Sequence, residues 1–237
     1  MPDKAEHTST ANFAELVNKL LTNNRAYAEQ MDKDEFLKVQ NGQAPWVILF
    51  DCSDSRVSIG TILGKNRALG QVFNITKMGA TTHAGLAEVH YALDHLGTAL
   101  IVVEGHSECG AVKGAMADHS GEKPALRDEL DAIRDVITSQ PEDARLGQLD
   151  ATTRNVLRNI RGQVAHLSSH LADDIASGRV VILGIFHDLH NKLGHGHGNN
   201  YIYCLNDEVD TSSIENHPAL QGAATQELHA ALLANAL

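Results

Sequence analysis

Three stretches of the chain are almost continuously apolar. They are Val47-Ile48-Leu49-Phe50, opening at Trp46 behind Pro45, Leu100-Ile101-Val102-Val103, and Val180-Val181-Ile182-Leu183-Gly184-Ile185-Phe186. Each is too short for an isolated buried helix and predicts a parallel strand covered on both faces. Gln71 to Ile75 predicts a weaker strand, and Tyr201 to Leu205 a short edge strand. Helical spacing takes over elsewhere. Phe13, Leu16, Val17, Leu20, Leu21, Tyr27, Ala28 and Met31 fall on one face of an amphipathic helix, and Asn12 with Glu15 is placed to cap it. That helix can pack on its own domain or reach a partner subunit, and the pattern does not choose. A second helix is expected from about His83 to Leu96, ended by Gly97. A third begins within Glu104 to Gly110 and runs through Ala117. Residues 125 to 177 predict several helices, interrupted at Pro141 and Gly162, and Gln226 to Ala236 a terminal one.

Strands alternating with helices imply an α/β fold: an open, mainly parallel central sheet of about four strands with helices on both faces, plus an N-terminal helical arm over residues 11–40. With no internal repeat or low-complexity linker, residues 1–237 read as one domain, and the polar residues 1–10 are expected to be disordered.

Composition narrows the function classes. Of 237 residues, 43% are hydrophobic and 21% charged, enough to bury a sizeable core. No apolar run approaches the roughly 20 residues that span a bilayer, and the N-terminal region lacks the basic-then-apolar order of a secretory signal, so a soluble, cytoplasmic protein is expected with no membrane partner. A net charge of -11 repels phosphate backbones, and 4% aromatic residues give few stacking platforms, so no nucleic-acid partner is expected.

Three cysteines cannot build a disulfide framework, so each needs its own explanation. Taken singly, a cysteine is most often a buried thiol. Yet Cys52 ends the first strong strand, and His106 and Cys109 follow the next one directly. In open α/β sheets ligands bind beyond the carboxyl ends of adjacent strands. Two thiolates and an imidazole suit zinc, and three protein ligands leave a fourth position open, the pattern of a catalytic site. Asp54, two residues beyond Cys52, is near enough to coordinate the metal as a conditional fourth ligand or to accept a hydrogen bond from its water. Arg56 decides between these, because a guanidinium pairing bidentately with the carboxylate holds it off the metal. The bland alternative is a surface ion pair.

Cys52-Ser53-Asp54-Ser55-Arg56-Val57 and Gly105-His106-Ser107-Glu108-Cys109-Gly110 resemble the two zinc-binding signatures of β-class carbonic anhydrases. The resemblance runs from about Gln43 to Met116, and more loosely to Phe186. It implies one zinc ion per subunit on Cys52, His106 and Cys109, with Asp54 and Arg56 as the acid–base dyad. The implied activity is reversible hydration of carbon dioxide to bicarbonate and a proton, by water that the zinc activates. It also implies a homodimer or higher multiple of dimers with the cleft near the subunit interface. Gln43, nine residues before Cys52, matches a substrate-orienting glutamine; Phe73 and Tyr91 match pocket aromatics; the Gly110 backbone is expected to face the bound anion. In a carbonic anhydrase whose zinc is held by three neutral histidines, the bound water titrates at about 7. Two thiolates cancel the metal charge, so here the water should titrate higher, and hydration should rise toward alkaline pH.

The resemblance fails in one loop. Where the family shows an Arg-Asn-x-x-Asn type of segment, this chain reads Thr76-Lys77-Met78-Gly79-Ala80, which puts the flexible Met78 in the pocket. The departure keeps open hydrolysis of carbonyl sulfide or carbon disulfide on the same scaffold. A bicarbonate sensor with little turnover is the non-enzymatic rival, and Asp54 with Arg56 argues against it. His187, His190, His195 and His197 form a second cluster, read as a loop and not as a second metal site because of the glycines and asparagines around it. Cys204 reads as a strand thiol. Among 14 histidines, none stands out from sequence as a proton acceptor.

Overall fold

A computed structural model describes residues 12–64, 69–223 and 225–237; the disorder expected for residues 1–10 lies outside them. Five strands form one sheet: β1 (Val47–Cys52), β2 (Val72–Lys77), β3 (Leu100–His106), β4 (Val181–Asp188) and β5 (Asn199–Leu205), in the order β2-β1-β3-β4-β5. The first four are parallel, and β5 runs antiparallel to β4. The edge strand expected at Tyr201 thus starts two residues earlier and makes five strands of about four. β1 is buried along its whole length, as a strand sandwiched between two helical layers must be. Trp46 stays outside it and is 48% exposed.

The helices are α1 (Phe13–Gln30), α2 (Lys33–Lys38), α3 (Gly60–Leu63), α4 (Leu86–His95), α5 (Gly110–Met116), α6 (Pro124–Ser139), α7 (Ala151–His170), α8 (Ala172–Ala176), α9 (Thr211–Glu215), α10 (Thr225–Ala231) and α11 (Leu233–Ala236). On one sheet face Ile48, Phe50, Ile101, Val103 and Phe186 pack with Ile133 of α6 and Ile160 of α7 in the larger core. On the other, Val47, Leu49, Val102 and Leu183 meet Ile214 of α9 and Leu232. Alternation along each strand splits the apolar residues between the two layers.

Three boundaries differ from the sequence pattern. Gly162 does not interrupt a helix; it lies inside α7, where an added Cβ would stand 2.3 Å from Val136 Cγ1 of α6. The glycine is there for close helix approach. The terminal helix is two pieces, because Leu232 adopts an extended conformation and bridges Ile202 of β5. The helix expected from His83 begins only at Leu86. The capping pair is present: the Asn12 side chain accepts the Glu15 N–H at 3.2 Å. No residue of α1 is buried, however, and Phe13, Leu16, Val17, Leu20 and Leu21 are 54% to 76% exposed. The arm does not settle on its own domain.

Candidate metal centre

Parallel pairing of β1 with β3 brings two distant stretches of sequence to one point. Cys52 is the last residue of β1 and His106 the last of β3, while Cys109 caps the start of α5. Glu108 turns the chain between them with a left-handed φ of 59°. The ligand-type atoms of Cys52, His106 and Cys109 lie within 4.8 Å of one another, all three residues are buried, and the two sulfurs are 3.9 Å apart. His106 Nδ1 donates to the Ser107 carbonyl at 3.1 Å, which leaves the Nε2 lone pair facing inward; that buried atom has no hydrogen-bond partner. An orphaned acceptor beside two thiols is a donor set for a soft or borderline cation.

The two thiols are in contact and shift in opposite directions. Hydrogen bonding from Cys109 and from the Asp54 backbone holds Cys52 well below the usual thiol range, while Cys109 is pushed up by the same contact and by burial. The Gly79 N–H also points at Cys52 Sγ, 3.4 Å away. Gly79 belongs to the short 3-10 turn Met78–Ala80 and has φ 68°, a conformation glycine adopts without strain. Its carbonyl accepts from Asn159 Nδ2 at 2.8 Å, and Asn159 in turn accepts from Gln163, which receives the Thr82 N–H. This buried network on α7 fixes the loop that supports Cys52. Sequence reasoning missed it; the available signal was two amide residues, Asn159 and Gln163, four positions apart in the middle of the buried stripe of α7.

Asp54 and Arg56 stand beside the cluster. Arg56 Nε meets Asp54 Oδ1 at 2.9 Å and Nη2 meets Oδ2 at 2.6 Å, a bidentate pair, and the Arg56 backbone N–H adds a third bond at 3.0 Å. The guanidinium holds the Asp54 carboxyl well below the usual carboxylate range. Asp54 Oδ2 is 3.9 Å from His106 Nε2, so the ionised oxygen faces the open side of the ligand cluster.

The remaining expected site residues are scattered. Met78 is partly buried in the turn next to Cys52. Gly110 opens α5 and lines a cleft of about 920 Å³ with Arg56, Lys113, His190 and Lys192. Gln43 is exposed ahead of β1. Phe73 pairs with Ile48, four registers before Cys52 meets Lys77, which is roughly 13 Å along the strand. Tyr91 lies 6.1 Å from Phe73, ring to ring, and is 48% exposed. One chain therefore does not bring Gln43, Phe73 or Tyr91 to the thiols.

The four histidines from the end of β4 onward also separate. His187 is buried against Asn200, His195 bonds the Ala236 carbonyl, His197 the Leu189 carbonyl, and His190 reaches Ser107 and Arg56. Among the described residues the metal-type cluster is that of Cys52, His106 and Cys109. Cys204 is a fully buried strand thiol, pushed up to about 12 by burial. The pattern gave no hint of Glu104, which has no exposed surface.

A family model described as carbonic anhydrase matches residues 47–195. The chain is 33% identical over 156 residues to "Carbonic anhydrase 2" of Mycobacterium tuberculosis, covering 62% of this chain and 72% of that one. Among solved structures, a Coccomyxa β-carbonic anhydrase in complex with acetazolamide aligns with a TM-score of 0.61 at 28% identity, over 72% of this chain and 81% of its own. A tetrameric β-carbonic anhydrase of the ascomycete Sordaria macrospora aligns with a TM-score of 0.67 at 25% identity, over 81% of this chain and 98% of its own.

Proposed function

The chain belongs to the β-class carbonic anhydrase family, and from that membership we propose that Cys52, His106 and Cys109 hold one zinc ion beside a working Asp54–Arg56 pair. The protein is a carbonic anhydrase: it catalyses the reversible hydration of carbon dioxide to bicarbonate and a proton. The observation that carries the site assignment is the orphaned, buried Nε2 of His106 enclosed with two thiols next to an ionised carboxylate. The donor set suits zinc, and three protein ligands leave a fourth position for water. When bound, zinc supplies the Lewis acidity that makes water a nucleophile at moderate pH.

The chain's own residues do the rest. Asp54, kept ionised by Arg56, accepts a hydrogen bond from the attacking water and aims a lone pair at the carbon. Arg56 engages both carboxylate oxygens, so Asp54 is drawn away from the three ligands. Arg56, Lys113 and Lys192 line the cleft with Glu108, which pairs with both lysines, and the remaining basic excess attracts the bicarbonate anion more than neutral carbon dioxide. The relatives are named as carbonic anhydrases, which disfavours carbonyl sulfide as the substrate and a sensor without turnover.

The assembly we propose is a homodimer or a multiple of dimers. It is supported by the exposed apolar face of α1, and it would let Gln43, Phe73 and Tyr91 of one copy approach the cleft of another. A cytoplasmic location fits a site whose two thiols must stay reduced; no described helix is long and apolar enough to cross a membrane.

Stopped-flow hydration beside zinc analysis, on wild type and Asp54→Asn across pH, tests the assignment. Wild type should carry about one zinc per chain and turn over increasingly toward alkaline pH. Asp54→Asn should keep its zinc and lose about a hundredfold or more in kcat. A fully active Asp54→Asn protein would remove Asp54 from the mechanism.

A further inference from the structure

Arg56 is held by more than Asp54. Asp54 takes Nε and Nη2, and the Glu108 carbonyl accepts from Nη2 at 3.3 Å. Nη1 points to His190, whose Nε2 is 3.3 Å away. A guanidinium carries five N–H donors and no acceptor, so His190 Nε2 must receive this bond. The ring is therefore neutral, with its proton on Nδ1. That nitrogen lies 2.9 Å from Ser107 Oγ, to which it donates, and the His190 backbone N–H donates to the same oxygen at 3.1 Å.

Both ring nitrogens are thus engaged, one by Arg56 and one by a residue with no exposed surface. Ser107 follows His106 directly, and its own N–H bonds the His187 carbonyl at 2.9 Å. The loop bearing His190 is equally fixed, because the Asp188 carboxylate accepts the N–H groups of Lys192 and Leu193. The other charges at the cleft leave the ring alone: Lys113 and Lys192 both pair with Glu108. A chain of contacts therefore runs from the end of β3 through Ser107, His190 and Arg56 to Asp54.

We propose that His190 is a positioning residue for the Asp54–Arg56 pair. Its lone pair, oriented by Ser107, holds the guanidinium in the plane where it meets both oxygens of Asp54. Without that acceptor, Nη1 turns to solvent, the pair loosens to a single bond, and Asp54 is free to move toward His106 Nε2. The inference rests on the reading of Asp54 and Arg56 given above, and its first test needs no turnover.

Nitrogen-15 NMR of the full chain, with and without zinc, should show His190 as the Nδ1–H tautomer near pH 8. His190→Phe should keep its zinc yet lose about tenfold to a hundredfold in kcat, with KM changed less. His190→Gln, which presents an acceptor oxygen near the Nε2 position, should recover most of that loss. In an Asp54→Asn background His190→Phe should cost nothing more. The proposal is overturned by an Nε2–H tautomer, by a His190→Gln protein as impaired as His190→Phe, or by additive losses in the double variant. Restoration of His190→Phe by imidazole buffer would make the residue a proton carrier and overturn it too. If His190→Phe fails to fold, the tautomer and the His190→Gln activity decide. If wild type shows no hydration at all, the tautomer alone decides, and only the functional reading falls.

Discussion

Glu104 lies two residues before His106 with none of its surface exposed, and burial pushes its carboxyl up to about 7. The Thr61 hydroxyl donates to one oxygen at 3.1 Å, but the other has no partner, so hydrogen bonding does not offset the desolvation. Below the unfolded value of 4.5 the group is protonated in both states, and its contribution to stability is complete. As pH rises toward 7 the unfolded chain ionises while the folded one keeps its proton, and stability is lost. Glu104→Gln should therefore gain on wild type between pH 5 and pH 8, by up to about 3 kcal/mol. Urea denaturation of the two zinc-loaded proteins at both pH values reads this, since the metal's own pH dependence cancels in the difference. An unchanged difference would mean that Glu104 is ionised in the fold. The thiols and His106 were legible in sequence because their spacing after apolar strands is a local signal. Glu104 was not, because its chemistry depends on which layer covers it.

Among the elements, α7 carries the largest discrepancy between pattern and fold. The periodicity of its apolar residues identifies a helix, but a glycine lowers helix propensity equally whether it ends the helix or admits a neighbour. Only the position of α6, with Val136 facing Gly162, distinguishes the two cases. At an exposed helix position Gly→Ala stabilises by about 1 kcal/mol. At Gly162 the sign should reverse: the new Cβ forces α6 and α7 apart, and the variant should lose about 1 to 3 kcal/mol in urea unfolding. Any gain in stability would show that the two helices can separate freely. Asn159 and Gln163 sit on the same helix, so a shift of α7 also disturbs the turn holding Gly79 against Cys52. Gly162→Ala should weaken zinc retention as well as stability. The apolar strands were readable for the opposite reason, since burial on both faces leaves no polar position to confuse the pattern.

For the molecule as a whole, the apolar face of α1 has no counterpart among the described residues. Leaving five large apolar side chains of one helix more than half exposed forgoes about 1 kcal/mol apiece of burial that a second copy can recover. Sequence specified the helix but not its cover, because a face that no described residue buries carries no local signal of what covers it. The 30 acidic residues against 19 basic ones make two copies repel each other, so the association should tighten as salt screens that charge. Leu16→Glu combined with Leu20→Glu puts carboxylates into the contact without touching the sheet. In analytical ultracentrifugation wild type should sediment as a dimer or a multiple of one, and the double variant should shift toward monomer, most strongly at low salt. Its zinc content should hold, because Cys52, His106 and Cys109 come from one chain. Its turnover should fall with its mass if Gln43, Phe73 and Tyr91 act across the interface, for their own chain leaves them away from the thiols. A monomer with full turnover would keep the interface but detach those three residues from the pocket, and an unchanged mass would remove α1 from the interface altogether.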